Sequence, residues 1–131
     1  GKARPRFSSK SGTVYTPSKT KSYERQIAEA YEAQQGPCFE GSVMVVIEAV
    51  FPIPKSWTRA KKAEALAGKL PPGKPDIDNI LKVVLDGLNG IAYEDDKQVV
   101  LTQCKKIYAD TTRPAGLQVH VFHMDSANGW R

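Results

Sequence analysis

Two pairs of aspartates, Asp76/Asp78 and Asp95/Asp96, with Lys82 between them, are the residues of this chain best suited to chemistry. They lie in an acidic island. From Asp76 to Asp96 there are six acids and one base, a net charge of −5. The 131-residue chain is +5 as a whole, so everything outside the island sums to +10. Such a surface attracts polyanions, while the island repels them. A divalent cation held by the carboxylates resolves the conflict, because it turns a repulsive pocket into one that accepts phosphate. The pattern suits a metal-dependent nuclease better than a passive binder.

Asp76 and Asp78 flank Ile77, so in an extended entry to a helix their side chains point the same way. Both then lie near the helix's positive end. Lys82 follows Asp78 by four residues, one turn on and on the same face. Asp95-Asp96 arrives later, at the start of a strand. If Gly87, Asn89 and Gly90 let the chain fold back, Asp96 meets Asp76 and Asp78. Three carboxylates from two segments make an oxygen-rich site for Mg²⁺ or Mn²⁺. Such an ion deprotonates a water and offsets charge on the phosphorane oxygens, and an ammonium such as Lys82 binds phosphate without competing for metal. Each piece also has an ordinary explanation. Asp at a helix start is usually a cap, Asp-Asp a turn, and Lys82 a solvated helix face. Spacing alone leaves both readings open.

Other chemistries fit less well. Ile80 and Leu81 stand where a calcium loop needs a ligand and a glycine. No phosphate-binding glycine loop is present. His120 and His123 fall on opposite faces of an expected strand, which argues against zinc. Ser8, Ser9 and Cys104 have no nearby base to activate them. Trp57 could stack on a nucleobase, although an aromatic after a strand more often covers a core.

The elements that must position the acids follow from pattern and punctuation. Ser18 or Ser22 caps a helix to about Gln35, with Ile27, Ala28, Ala30 and Tyr31 on its apolar face, ended by Gly36-Pro37. Residues 42–51 read as a buried strand, closed by Pro52-Ile53-Pro54. A short basic helix spans 58–67 under a Thr58 cap, and Gly68 to Lys74 is a loop. Asp78 is placed as N-cap of a helix over 79–89, with Gly90 beyond its end. Residues 98–109 and 117–124 are strands joined by a polar turn. The order implies one α+β (mixed α/β) domain over 1–131, a small, mostly antiparallel sheet packed by helices.

Residues 1–21 form a basic arm with no acid, either a frayed terminus or a phosphate-contacting segment, and 125–131 read as an unstructured tail. Nucleic acid is the leading partner at a pI of about 9.3, with Lys2, Arg4, Arg6, Lys10, Lys19, Arg59, Lys61, Lys62 and Lys74 as phosphate contacts. Two cysteines without ligand spacing point to a reducing, cytoplasmic setting. No apolar run is long enough to cross a membrane, and no organic cofactor is suggested.

The stretch Lys74-Pro-Asp-Ile-Asp-Asn-Ile-Leu-Lys-Val-Val-Leu-Asp-Gly-Leu-Asn-Gly90, followed by Tyr93-Glu-Asp-Asp-Lys-Gln-Val-Val100, resembles the RusA family of Holliday junction resolvases. The likeness extends thinly to Ala3-Arg-Pro-Arg-Phe7, Tyr15-Thr-Pro17 and Pro54-Lys-Ser-Trp57. It implies a Mg²⁺-dependent endonuclease (Mn²⁺ substituting) that nicks four-way DNA junctions as a homodimer, often phage- or prophage-encoded. By match, Asp76, Asp78 and Asp96 take metal and catalytic roles, Asp95 assists the metal, and Lys82 is the essential lysine. Family members usually carry a strand ahead of the Lys-x-Arg-Pro-Arg segment, for which Gly1-Lys2 leaves no room, so an unpaired sheet edge is expected. The alternative from another class is a junction- or duplex-binding protein without turnover. A third reading leaves the acids to capping and partner contacts.

Overall fold

The computed structural model describes residues 22–124 in full, and 6–8 and 12–15 as backbone. The strands among these are β1 (Arg6–Ser8), β2 (Gly12–Tyr15), β3 (Val43–Phe51), β4 (Val99–Tyr108) and β5 (Gly116–His123). The helices are α1 (Tyr23–Ala33), α2 (Arg59–Leu66) and α3 (Ile77–Leu88). The strands form one sheet in the order β1-β2-β5-β3-β4. Every neighbouring pair is antiparallel except β3 and β4, which run parallel. The α+β fold with a mostly antiparallel sheet is therefore as expected.

Residues 98–109 and 117–124 do form strands, but they are not sheet neighbours. β3 inserts between them, so β4 is reached by a crossover through α2 and α3 and ends the sheet. The turn residues 110–116 suggested a hairpin. The apolar run of β3 explains why the chain does otherwise: Val43, Val45, Ile47 and Ala49 are all buried on one face, and such a strand belongs at the centre. Two strands, β1 and β2, also arise in the stretch read as an irregular arm, and they extend the sheet beyond β5. The open edge is β4, at the other side.

The core lies between this sheet and the pair α1/α3. Ile27 and Tyr31 from α1 and Ile80, Val84 and Leu88 from α3 pack on the buried residues of β3 and on Val119 and Val121 of β5. The i, i+4, i+8 spacing of Ile80, Val84 and Leu88 makes one apolar stripe. Gly87 sits in that contact because a Cβ there would lie 2.9 Å from the Glu24 carbonyl oxygen on α1. Its role is close helix packing rather than the fold-back expected of it. α2 buries only Ala65 and stands apart, with its Thr58 hydroxyl accepting from the Lys61 amide at 3.1 Å. Cys38 and Cys104 are free thiols. His120 and His123 do fall on opposite faces, with His120 stacked on Phe122.

Candidate active site

α3 begins two residues earlier than its sequence suggests. Its N-cap is Asp76, not Asp78, and the Asp76 side chain makes no capping hydrogen bond. Asp78 lies in the first turn. Both side chains are exposed. Capping therefore does not account for Asp76, whose carboxylate stays available at the positive end of the helix dipole. Asp78, Lys82 and Asp86 repeat at four-residue intervals and are all exposed, a charged stripe opposite the buried one.

The second acid pair is built differently. After α3 the chain turns at Gly90, whose φ of +79° is left-handed backbone that glycine adopts without strain. Tyr93 then plugs the core, and its hydroxyl donates to the Leu85 carbonyl at 3.0 Å. Burial pushes this phenol well up, and the Asp96 and Asp86 carboxylates add to the effect. A single 3-10 turn, Asp96–Gln98, leads into β4 under a full capping box. The Asp95 carboxylate accepts from the Lys97 amide at 2.9 Å, and the Gln98 side-chain oxygen accepts from the Glu94 and Asp95 amides at 2.9 and 3.1 Å. The Gln98 amide donates to the Phe39 and Gly41 carbonyls at 2.9 and 2.8 Å. The hydrogen bond from Lys97 holds the Asp95 carboxyl below its usual range. Asp95 thus closes a turn, and that turn presents the exposed Asp96.

The two acid pairs do not meet within one chain. Asp76 and Ile77 line a cleft with Cys104 to Tyr108, the last residues of β4, whereas Asp96 immediately precedes that strand's first residue. α3 runs back along β4, and its twelve residues span about 18 Å. Asp96 consequently reaches the Tyr93 and Asp86 end of the helix, away from Asp76 and Asp78. Among the described residues no group of three or more His, Cys, Asp or Glu side chains is placed to hold a metal ion. Mg²⁺ oxygen ligands must sit at about 2.1 Å, so the carboxylates of a single copy do not fit the ion that the resemblance implies.

Several basic residues read from the sequence lie on the described surface. Arg59 and Lys61 on α2 and Lys74 before α3 are exposed, and Lys62 is half-buried. The Lys61 ammonium stands 4.3 Å from the Trp57 ring centre, and Trp57 packs edge-on against Tyr108 at 5.7 Å, so Trp57 covers the end of β4. Lys2, Arg4, Lys10 and Lys19 lie outside the described residues, and of Arg6 only the backbone in β1 is described. A second cationic group was not anticipated. The Lys105, Lys106 and Arg113 side chains edge the cleft of about 850 Å³ beside Asp76. Arg113 and Lys105 hold the Glu48 carboxylate at 2.8 and 3.1 Å, and the Lys106 ammonium donates to the Gly73 carbonyl at 2.6 Å. Gln98 and Asp95 as a turn lock were also missed, although the Asp-x-x-Gln spacing is a capping-box signature.

The family described as Endodeoxyribonuclease RusA matches residues 1–121. Uncharacterized protein YqaN of Bacillus subtilis (strain 168) is 35% identical over 116 residues, covering 84% of this chain and 82% of that protein. No solved structure matches. The quoted island lies wholly within the matched span, and the chain belongs to the RusA family of Holliday junction endodeoxyribonucleases.

Proposed function

We propose that this chain cuts four-way DNA junctions by phosphodiester hydrolysis that depends on Mg²⁺ or Mn²⁺, as a homodimer acting in DNA recombination and repair inside the cell. Membership of an endodeoxyribonuclease family gives the reaction class. The observation that carries the finer reading is the pair of exposed aspartates at the start of α3, one of them a helix cap residue whose side chain does no capping. Lys82 stands one turn further along the same face, where it can hold a DNA phosphate close to those carboxylates. A divalent ion, when bound, would offset the charge of carboxylates and phosphate together. The basic residues of α2 and Lys74 supply sequence-independent attraction for the backbones of the junction arms. No helix among the described residues is long and apolar enough to cross a membrane, which is compatible with access to DNA.

The test is nicking of a synthetic four-way junction with Mg²⁺, by wild type and by Asp78→Asn. Cleavage by the wild type that collapses in the variant supports the assignment, and equal rates remove the proposed role of Asp78. A second reading, junction binding without turnover, is favoured by one observation: a single copy does not gather three carboxylates. Tight junction binding with no cleavage under either Mg²⁺ or Mn²⁺ would select it.

A further inference from the structure

The separation of the two acid pairs has a geometric consequence. Asp76 and Asp78 flank one end of β4, and Asp96 flanks the other. β4 is also the sheet's open edge, ten residues long, and spans about 33 Å with one side of its backbone unpaired by another strand among the described residues. We propose that two copies of this chain pair along their β4 edges in antiparallel fashion, so that each metal-binding site combines Asp76 and Asp78 of one copy with Asp96 of the other. This rests on the proposed metal-dependent cleavage and names how its site is assembled.

Three features select a second copy as the occupant of this edge. The first is charge. The start of β4 carries Glu94, Asp95 and Asp96, and its end carries Lys105, Lys106 and, across the turn, Arg113. An antiparallel, two-fold pairing sets each acidic end on the partner's basic end, whereas parallel pairing would oppose like charges. The second is apolar surface. Leu66 and Ile77 on the walls of the cleft are 54% and 43% exposed, and Val100 near the acidic end of β4 is 44% exposed. In the antiparallel arrangement the Val100 end of one copy comes to the cleft of the other, and large apolar groups lose contact with water together. The third is the acids themselves. The operation that extends the sheet carries Asp96 toward the partner's Asp76, and two-fold symmetry makes two equivalent sites. Like carboxylates brought together in this way repel until a cation enters, so metal and dimer strengthen one another.

Mixing chains tests the arrangement. Asp76→Asn and Asp96→Asn homodimers each lack a ligand at both sites. A mixed dimer concentrates both lesions in one site and leaves the other intact. Equal amounts unfolded and refolded together should regain about a quarter of the wild-type sites. These are read as junction nicks and, independently, as Mn²⁺ bound at equilibrium. A site contained in one copy would regain none, and that result overturns the proposal. A second measurement does not require cleavage. In a Cys38→Ser/Cys104→Ser background, chains with Val100→Cys mixed with chains carrying Ile77→Cys should be joined by a short bismaleimide into a species of twice the mass. Neither chain alone should be joined as efficiently, and absence of that preference counts against the antiparallel edge. If the wild type cuts no junction while Mn²⁺ recovery and cross-linking both appear, the endonuclease reading fails and the shared site stands. If the wild type cuts and the mixture recovers nothing, the reverse holds.

Discussion

The two aspartate pairs look alike in the sequence and are unlike in the structure. At the start of α3, the cap position is held by Asp76 without a capping hydrogen bond, and Asp78 follows in the first exposed turn. At the start of β4, Asp95 is fully engaged in a capping box, and only Asp96 is left to face solvent. One region offers two carboxylates on a helix that is held by its apolar stripe. The other uses one carboxylate to aim its neighbour. Proximity in sequence therefore says little about function. What separates chemistry from scaffolding is whether a carboxylate oxygen already has a backbone amide to accept from.

The strongest way to break this comparison is to neutralise each acid in turn. Asp76→Asn, Asp78→Asn and Asp96→Asn should each lower junction nicking by roughly 10²- to 10³-fold, the scale for removing one group that stabilises developing charge. Melting temperatures should stay within a few degrees of wild type, since these exposed side chains contribute at most helix-dipole interactions of about 0.3–1 kcal/mol. Junction cleavage assays and thermal melts on the same preparations check both halves. An acid whose loss unfolds the protein while sparing the rate per folded molecule belongs to the scaffold instead.

The helices were legible because each rule that marks them is local. Ser22 and Thr58 cap where expected, with the Ser22 hydroxyl accepting from Arg25 at 3.2 Å. The apolar stripe of α3 and the buried run of β3 were equally readable, because side-chain period is fixed by backbone geometry. Sheet order was not legible. Nothing local in residues 99–123 says that β3 will lie between β4 and β5, because that choice follows from how much apolar surface β3 must cover on both sides. The same blind spot governed the site. The sequence pairs Asp96 with Asp76 and Asp78 as family-pattern acids, but whether they meet depends on the direction of α3 along β4, a tertiary fact. The start of α3 was misplaced by two residues because Asp76 and Asp78 satisfy the same cap preference.

Gln98 sharpens the comparison, since its side chain is the hinge pin of the second pair. Gln98→Ala removes the acceptor for the Glu94 and Asp95 amides and the donor to Phe39 and Gly41. Groups left without partners in a half-buried setting cost about 1–3 kcal/mol, so the melting temperature should fall by several degrees. Nicking should fall by about 10- to 100-fold as well, as for residues that orient a metal ligand. Gln98→Glu retains the acceptor and loses the donor, and should land between the two. A normal rate at normal stability in Gln98→Ala would show that Asp96 needs no support from this turn.

Tyr93→Phe probes the same loop from inside the core. It deletes one hydrogen bond, from the phenol to the Leu85 carbonyl at 3.0 Å, and leaves the packed ring in place. The expected cost is about 1 kcal/mol, read as a lower denaturation midpoint with an unchanged slope. Activity should drop less than in Gln98→Ala, because the capping box itself is intact. A variant with wild-type stability would place the anchoring of this loop in the ring's burial alone.

The smallest expected effect separates Asp95 from its neighbour by pH. The Lys97 amide favours the charged Asp95 carboxylate, so its pKa is lower in the folded protein than in the unfolded chain. A depressed carboxyl pKa contributes stability that is fully present above the unfolded value and disappears as pH falls through the folded one. Asp95→Asn should therefore melt slightly below wild type at neutral pH, and the two curves should converge as the medium is acidified below the ordinary carboxylate range. At neutral pH its nicking rate should fall far less than that of Asp96→Asn, because Asn retains an oxygen able to accept from Lys97 and to keep Asp96 in place. A difference in melting temperature that persists unchanged into acid would mean that Asp95 acts through shape and not through charge. A nicking loss equal to that of Asp96→Asn would instead make Asp95 a member of the site, and the contrast between the two acid pairs would disappear.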